Sequence, residues 1–166
     1  MPDTKESGVV AGVFASEEEA AVAVERLVEA HFDPPHDLSV IVSHHREHEG
    51  VTVPHEPEVV HGAELGAALG AVLAAAGVTL AGMTMGPLSL VVAGPVLVAL
   101  EAAIAGGGAG YLIGALTGLG IWHNEAEFHA AHIHDGVVWV GVHATGPRAR
   151  QARAILSEAG ARHFTD

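Results

Sequence analysis

Between Leu65 and Ile121 the chain runs for 57 residues with a single formal charge, Glu101. A run that long and that apolar cannot be left as free surface, so it must be core, interface or lipid-facing. Within and beside it, Gly62, Gly66 and Gly70 recur every four residues, as do Gly106, Gly110, Gly114 and Gly118. On a helix that spacing puts each series on one face, where missing side chains let another backbone approach closely. The pattern predicts two helices, over residues 60–84 and 95–119, separated by Gly86-Pro87 and restarted at Pro95. At about 25 residues each, and so about 37 Å long, either is long enough to span a bilayer core of about 30 Å. In an antiparallel hairpin, the Gly62, Gly66 and Gly70 face meets the Gly110, Gly114 and Gly118 face.

The flanks read as a soluble frame. Residues 9–15 form a Val-rich apolar run typical of a buried strand. Ser16 follows as an N-cap, with Glu17, Glu18 and Glu19 in the first turn and Glu19 in the capping-box position. Ala20, Val24, Leu27 and Val28 give that helix one core face, it should end near Ala30, and residues 38–43 read as a second strand. Superposing Val13 on Val142, an offset of 129, also aligns Leu27 with Leu156, Glu29 with Glu158 and Ala30 with Ala159 without a gap. The second copy places a strand at 137–144, a cap at Thr145, a helix at 147–158, a stop at Gly160 and a short last strand at 161–164. Before it, Asn124 and Glu127 read as the cap of a helix running to about His134.

Two strand-helix-strand copies predict an α+β fold, a ferredoxin-like βαβ-βαβ sandwich with an antiparallel glycine-zipper helical hairpin inserted between strands 2 and 3. The expected organisation is a discontinuous α+β domain over 9–43 and 123–166, a His-rich loop over 44–61 and the apolar hairpin over 62–121.

The formal net charge is −13, and Lys and Arg are absent from Glu47 through Pro147. With no basic patch to hold phosphate, nucleic acid is excluded as an expected partner, and anionic lipid headgroups are disfavoured. The absence of cysteine excludes disulfides and thiolate metal sites. The start, Met1 to Gly8, lacks the basic and apolar regions of a signal peptide, which predicts a cytoplasmic chain or one on the cytoplasmic side of the membrane.

The chain resembles the small bacterial general stress proteins, also called heat-induced stress proteins. The residues that carry the likeness are Val9-Val10-Ala11-Gly12-Val13-Phe14 with Ser16-Glu17-Glu18-Glu19-Ala20, and Asp37-Leu38-Ser39-Val40-Ile41. Further on are the Gly86-Pro87 and Gly94-Pro95 breaks, Gly114-Ala115-Leu116-Thr117-Gly118-Leu119-Gly120-Ile121, and Gly136-Val137-Val138. The resemblance implies a stress-associated protein without an established catalytic activity, many of whose relatives carry a glycine-rich segment regarded as membrane-spanning. This chain departs from it after Ile121, where Trp122-His123 and a histidine-bearing helix stand in place of an acidic, proline-containing stretch.

Thirteen histidines are the other chemical resource. Glu125, His129 and His132 fall at i, i+4 and i+7 on one helical face, a spacing that can hold a divalent metal such as Zn, Ni, Cu or Fe; a solvated helix face is the plainer reading. His44, His45 and His48 make a second cluster in the loop, where ordering the chain would weaken metal affinity. Glu101 is expected as a buried charge in the second apolar helix, to be neutralised, paired or locally solvated. No nucleophile-base spacing or phosphate loop stands out, so no catalytic residue is assigned. The leading functional expectation is a non-enzymatic, stress-associated protein, membrane-associated or self-assembling through its hairpin. The alternatives are a homo-oligomer with buried hairpins that can hold a lipid or quinone, and a histidine-based metal-binding protein.

Overall fold

The computed structural model describes residues 8–45, 67–78, 80–85, 88–105, 110–134 and 137–164. It is a mixed helix-and-strand structure with one five-stranded antiparallel sheet and, among the described residues, seven helices. The elements run β1 (Val9–Phe14), α1 (Glu17–Glu29), α2 (Pro34–Asp37), β2 (Leu38–His45), α3 (Ala67–Ala75), β3 (Leu80–Met85), β4 (Leu88–Ala93), α4 (Pro95–Ala105), α5 (Tyr111–Gly118), α6 (His123–His134), β5 (Val138–His143) and α7 (Gly146–Glu158).

The strand order is β1-β5-β2-β4-β3. β5 lies between β1 and β2, with Val9 opposite His143 on one side and Ile41 opposite Trp139 on the other. Arg162 bridges Val13 on the outer edge of β1 through two backbone hydrogen bonds of 2.8 Å. The last segment therefore contributes an isolated bridge where a short strand was expected.

Side chains alternate across the sheet, and both faces are covered. Val10, Phe14, Val40, Val42, Val138, Val140 and Val142 pack with α1, α3 and α7. Val9, Ala11, Val13, Ile41, Leu90, Val92 and Trp139 pack with α4, α5 and α6. Every residue of β1 is buried, which is why the strand reads as a continuous apolar run rather than an alternating one.

The local signals at the ends of the chain behave as expected. Ser16 Oγ accepts the Glu19 N–H at 3.2 Å, and Glu19 returns a carboxylate oxygen to the Ala15 N–H at 3.3 Å. α1 ends at Ala30, and Gly160, at φ 98°, follows the C-cap of α7. Thr145 occupies the N-cap of α7 but makes no side-chain cap bond. Asn124 lies inside the first turn of α6, which starts at His123, two residues earlier than a cap at Asn124 would give.

The apolar stretch departs from the expected pair of long helices. Among the described residues of its first half, only Ala67–Ala75 is helical, and residues 80–85 and 88–93 form a β-hairpin that adds two strands beside β2. The second half is divided into α4 and α5, with residues 106–109 outside the described set. Among the described residues, no helix is long and apolar enough to cross a membrane. The reason is local chemistry against a demanding edge. Leu, Met and Thr of residues 80–85 and Leu and Val of 88–93 suit strands, and Gly77 and Gly94, both at positive φ, stand after α3 and before α4. β2 offers a row of backbone donors and acceptors that a helix could not satisfy.

Two buried serines of β2 fix the added helices to the sheet. Ser39 Oγ accepts the Val96 N–H at 3.1 Å, satisfying one of the open donors at the start of α4. Ser43 donates through its hydroxyl to the Ile133 carbonyl at the end of α6. Gly94, at φ 79°, makes the sharp entry into α4, where a Cβ would lie 1.9 Å from the Leu38 carbonyl oxygen.

Candidate functional site

Two places combine exposure with unusual chemistry. They are the outer face of α4 and α5, and the imidazole cluster of α6.

α4 and α5 pack antiparallel. A Cβ built on Gly114 would sit 3.4 Å from Ala103 Cβ, and one on Gly118 would sit 4.0 Å from Ala99 Cβ. The glycine spacing on α5 therefore does allow close helix contact, as the four-residue period implies. Its partner is the alanine face of α4 rather than the first glycine series. Gly70 is buried in α3, which packs with α1 on the opposite side of the sheet. Gly62, Gly66 and Gly106 lie outside the described residues. Gly110 is exposed, just before α5.

Val96 and Leu100 turn inward from α4, fully buried against the sheet, and leave an outward face that is apolar apart from Glu101. Val98 is 68% exposed there, and Ile104 is exposed too. A shallow groove of about 600 Å³ runs along this face, lined by Pro95, Val98, Ala99, Ala103, Gly114 and Gly118 among others. A second crevice of about 200 Å³ joins it at Pro95 and Val98 and extends toward Gly77 and Pro35. Neither lining carries a charged side chain. Glu101, expected as a buried charge, is instead exposed on α4. The helix lies at the surface of the sandwich, so the carboxylate reaches water with no desolvation cost to offset.

The imidazole cluster differs from the expected Glu125, His129 and His132 face. Ala126, Ala130 and Ile133 are the buried stripe of α6, and His129 shares it, only 1% exposed. Its ring stands edge-on to Trp139 at 6.3 Å between centroids, and its Nδ1 has no hydrogen-bond partner among the described residues. Burial, then the neighbouring His132 and His163, push its pKa down to about 4. His129 is thus neutral over the ordinary pH range. Trp139 in turn lies over Gly141, where a Cβ would meet the indole at 2.4 Å.

His132 and Glu125 sit at the margin of that stripe, half-buried. The His132 ring stacks on Phe128 at 4.2 Å and approaches His163 at 4.7 Å. His163 had no place in the expected site. The bridge between Arg162 and Val13 is what delivers it to α6, 31 residues along the chain from His132. Among the described residues no group of three or more His, Cys, Asp or Glu is arranged to hold a metal ion, so the expected triad does not converge. Of the loop histidines, His44 and His45 end β2, and His48, His55 and His61 lie outside the described residues.

A half-buried Ser–His pair lies on the same sheet face. Ser39 Oγ is 2.9 Å from His143 Nε2, and burial lowers the His143 pKa while Asp37 partly opposes the shift. With Oγ accepting from Val96, the serine hydroxyl proton is free to bond the neutral imidazole. This arrangement caps a helix and neutralises a buried ring. No protein-family model matches the chain, and no match is found among curated proteins or among solved structures.

Proposed function

We propose that this chain is a non-catalytic, self-associating protein whose α4–α5 face packs against the same face of a second copy. The single observation that carries the reading is Val98, 68% exposed beside a floor of alanine and glycine in an uncharged groove. A projecting side chain next to a smooth groove is self-complementary: a two-fold axis lets each Val98 enter the partner's groove, closing the contact as a dimer. Charge favours this face over others. In a chain of net charge −13 most contacts between copies would bring acidic groups together, whereas this lining carries none.

The scaffold behind the interface fits a ferredoxin-like arrangement. The Arg162 bridge, β1, β5 and β2 follow one another in the order that two βαβ copies would give, with α1 and α7 together on one face. In that reading the inserted segment supplies a second helical layer and two added strands. The resemblance to general stress proteins adds a physiological setting, accumulation under heat or related stress, which protein levels before and after a temperature shift would test.

Sedimentation velocity over a micromolar to sub-millimolar concentration series tests the association. A dimer that Val98→Glu converts to monomer, with the helix content unchanged, is the expected result. A wild-type chain that stays monomeric throughout, or a dimer indifferent to Val98→Glu and to Gly114→Leu, would sink the proposal.

A further inference from the structure

We infer that His132 and His163 form a two-imidazole site for a borderline divalent transition-metal ion, with water in the remaining positions. The inference stands apart from the self-association above, because these residues lie on α6 and the C-terminal segment rather than on α4 and α5.

The His132 ring comes first. Its Nδ1 is 2.8 Å from the Phe128 carbonyl oxygen. A carbonyl can only accept, so Nδ1 carries the proton and Nε2 keeps its lone pair. A backbone carbonyl holding one ring nitrogen in this way is the support that orients a ligating histidine in metal sites.

His163 meets it from a separate part of the chain without being on a loose tail. Arg162, the residue before it, exchanges two backbone hydrogen bonds with Val13. His163 itself sits at φ 53°, a left-handed conformation that non-glycine residues seldom adopt. Phe128 contacts both rings, at 4.2 Å to His132 and 5.1 Å to His163, and limits their movement on one side.

The spacing suits shared coordination. With a metal–nitrogen bond of about 2.0–2.1 Å, a ligating imidazole has its ring centre about 3.2 Å from the ion. Two such rings have centres about 5.2 Å apart in tetrahedral geometry and about 4.5 Å apart at right angles. The observed separation is 4.7 Å, with the ring planes 44° apart. That separation falls between the two values. Because the described residues offer no third protein ligand in place, water completes the shell. Cu(II) is then the tightest guest, ahead of Ni(II) and Zn(II) in the usual affinity order.

The ion would tie the C-terminal segment to α6.

Cu(II) and Zn(II) titrations of the full chain, made without an affinity tag, test the site by calorimetry. The thirteen histidines create a background, so the decisive design is a cycle of His132→Ala, His163→Asn and the pair. Asparagine is chosen because it tolerates the left-handed backbone at that position. If both residues hold one ion, each single change weakens the tightest binding event at least tenfold, and the double change weakens it no further. Additive losses, or no loss from either change, would overturn the inference. Hydrogen exchange gives a second readout that loop histidines cannot imitate. Zn(II) should slow exchange of the Arg162 amide about tenfold or more in the wild type and leave it unchanged in the double variant. An unaltered wild-type rate at saturating Zn(II) refutes the tie.

Discussion

Acid should destabilise this protein through His129, and the size of the effect can be worked out from its burial. The ring is 1% exposed on α6 against Trp139, and its pKa falls from 6.5 to about 4. In the unfolded chain the same imidazole titrates at its ordinary value. Above pH 6.5 it is neutral in both states and contributes nothing to the pH dependence. Between pH 6.5 and about 4 the unfolded state binds a proton that the folded state refuses, so stability falls as pH falls; below about 4 both states are protonated and the slope from this group ends. At about 1.4 kcal/mol per pKa unit, the whole window amounts to about 3.4 kcal/mol, of which about 2.5 kcal/mol is lost between pH 7.5 and 4.5. That is a large part of the stability of an ordinary domain. His143, also lowered by burial, adds loss of the same sign, and it is present in both proteins compared. The comparison that isolates His129 is therefore with His129→Leu. Urea titrations followed by tryptophan fluorescence at pH 7.5, 6.0 and 4.5 should show a gap between the two proteins that narrows, or reverses, by about 2.5 kcal/mol toward low pH. The change in the gap carries the test, since leucine also alters the packing at every pH. Parallel profiles for wild type and His129→Leu would refute the reasoning.

Other positions give sharper structural tests. Gly94→Ala forces a Cβ to within 1.9 Å of the Leu38 carbonyl oxygen at φ 79°, so a loss of more than about 2 kcal/mol is expected by thermal melting; an unchanged melting temperature would contradict the entry geometry of α4. Gly141→Ala should displace the Trp139 indole, red-shifting its emission in a Trp122→Phe background and costing about 1–3 kcal/mol. Ser39→Ala leaves the Val96 N–H and the His143 ring without their partner, and denaturant unfolding should show a loss of about 1–3 kcal/mol. Ser16→Ala, at an N-cap nearer the surface, should cost about 1 kcal/mol, visible in the same assay.

The parts legible in the sequence are those whose signals are local. The Ser16 and Glu19 cap, the Ala20, Val24 and Leu27 face of α1 and the Gly160 stop each rest on a few adjacent residues, and the structure follows them, whereas Val28, expected on the same face, is exposed. The apolar run was opaque for a physical reason. Without polar residues to mark an outer face, a strand buried on both sides and a buried helix have the same composition and no distinguishing period. Gly86-Pro87, outside the described residues, reads as a break, and a helix stop and a strand end are not told apart by such a pair. His129 was more accessible, since Ala126, Ala130 and Ile133 lie on its side of the helix and mark that side as the inward one. His163 carried no signal at all, because its meeting with His132 depends on the edge pairing of Arg162.

The order of the strands also bears on how the chain must fold. β1 and β2 are never neighbours; the place between them belongs to β5, whose residues follow β2 by roughly a hundred positions, as in Val42 opposite Val138. Closing so long a loop carries an entropic cost that local elements avoid, and folds rich in distant pairings form slowly. The hairpin of β3 and β4 and the pair α4 and α5 can assemble from nearby residues. On the ribosome, then, β1 and β2 emerge with their facing edges unfilled and must wait for nearly the whole chain before β5 arrives. During that interval the open edges invite pairing with other chains, and a chaperone that shields extended apolar segments should raise the yield of folded protein more than it raises the rate.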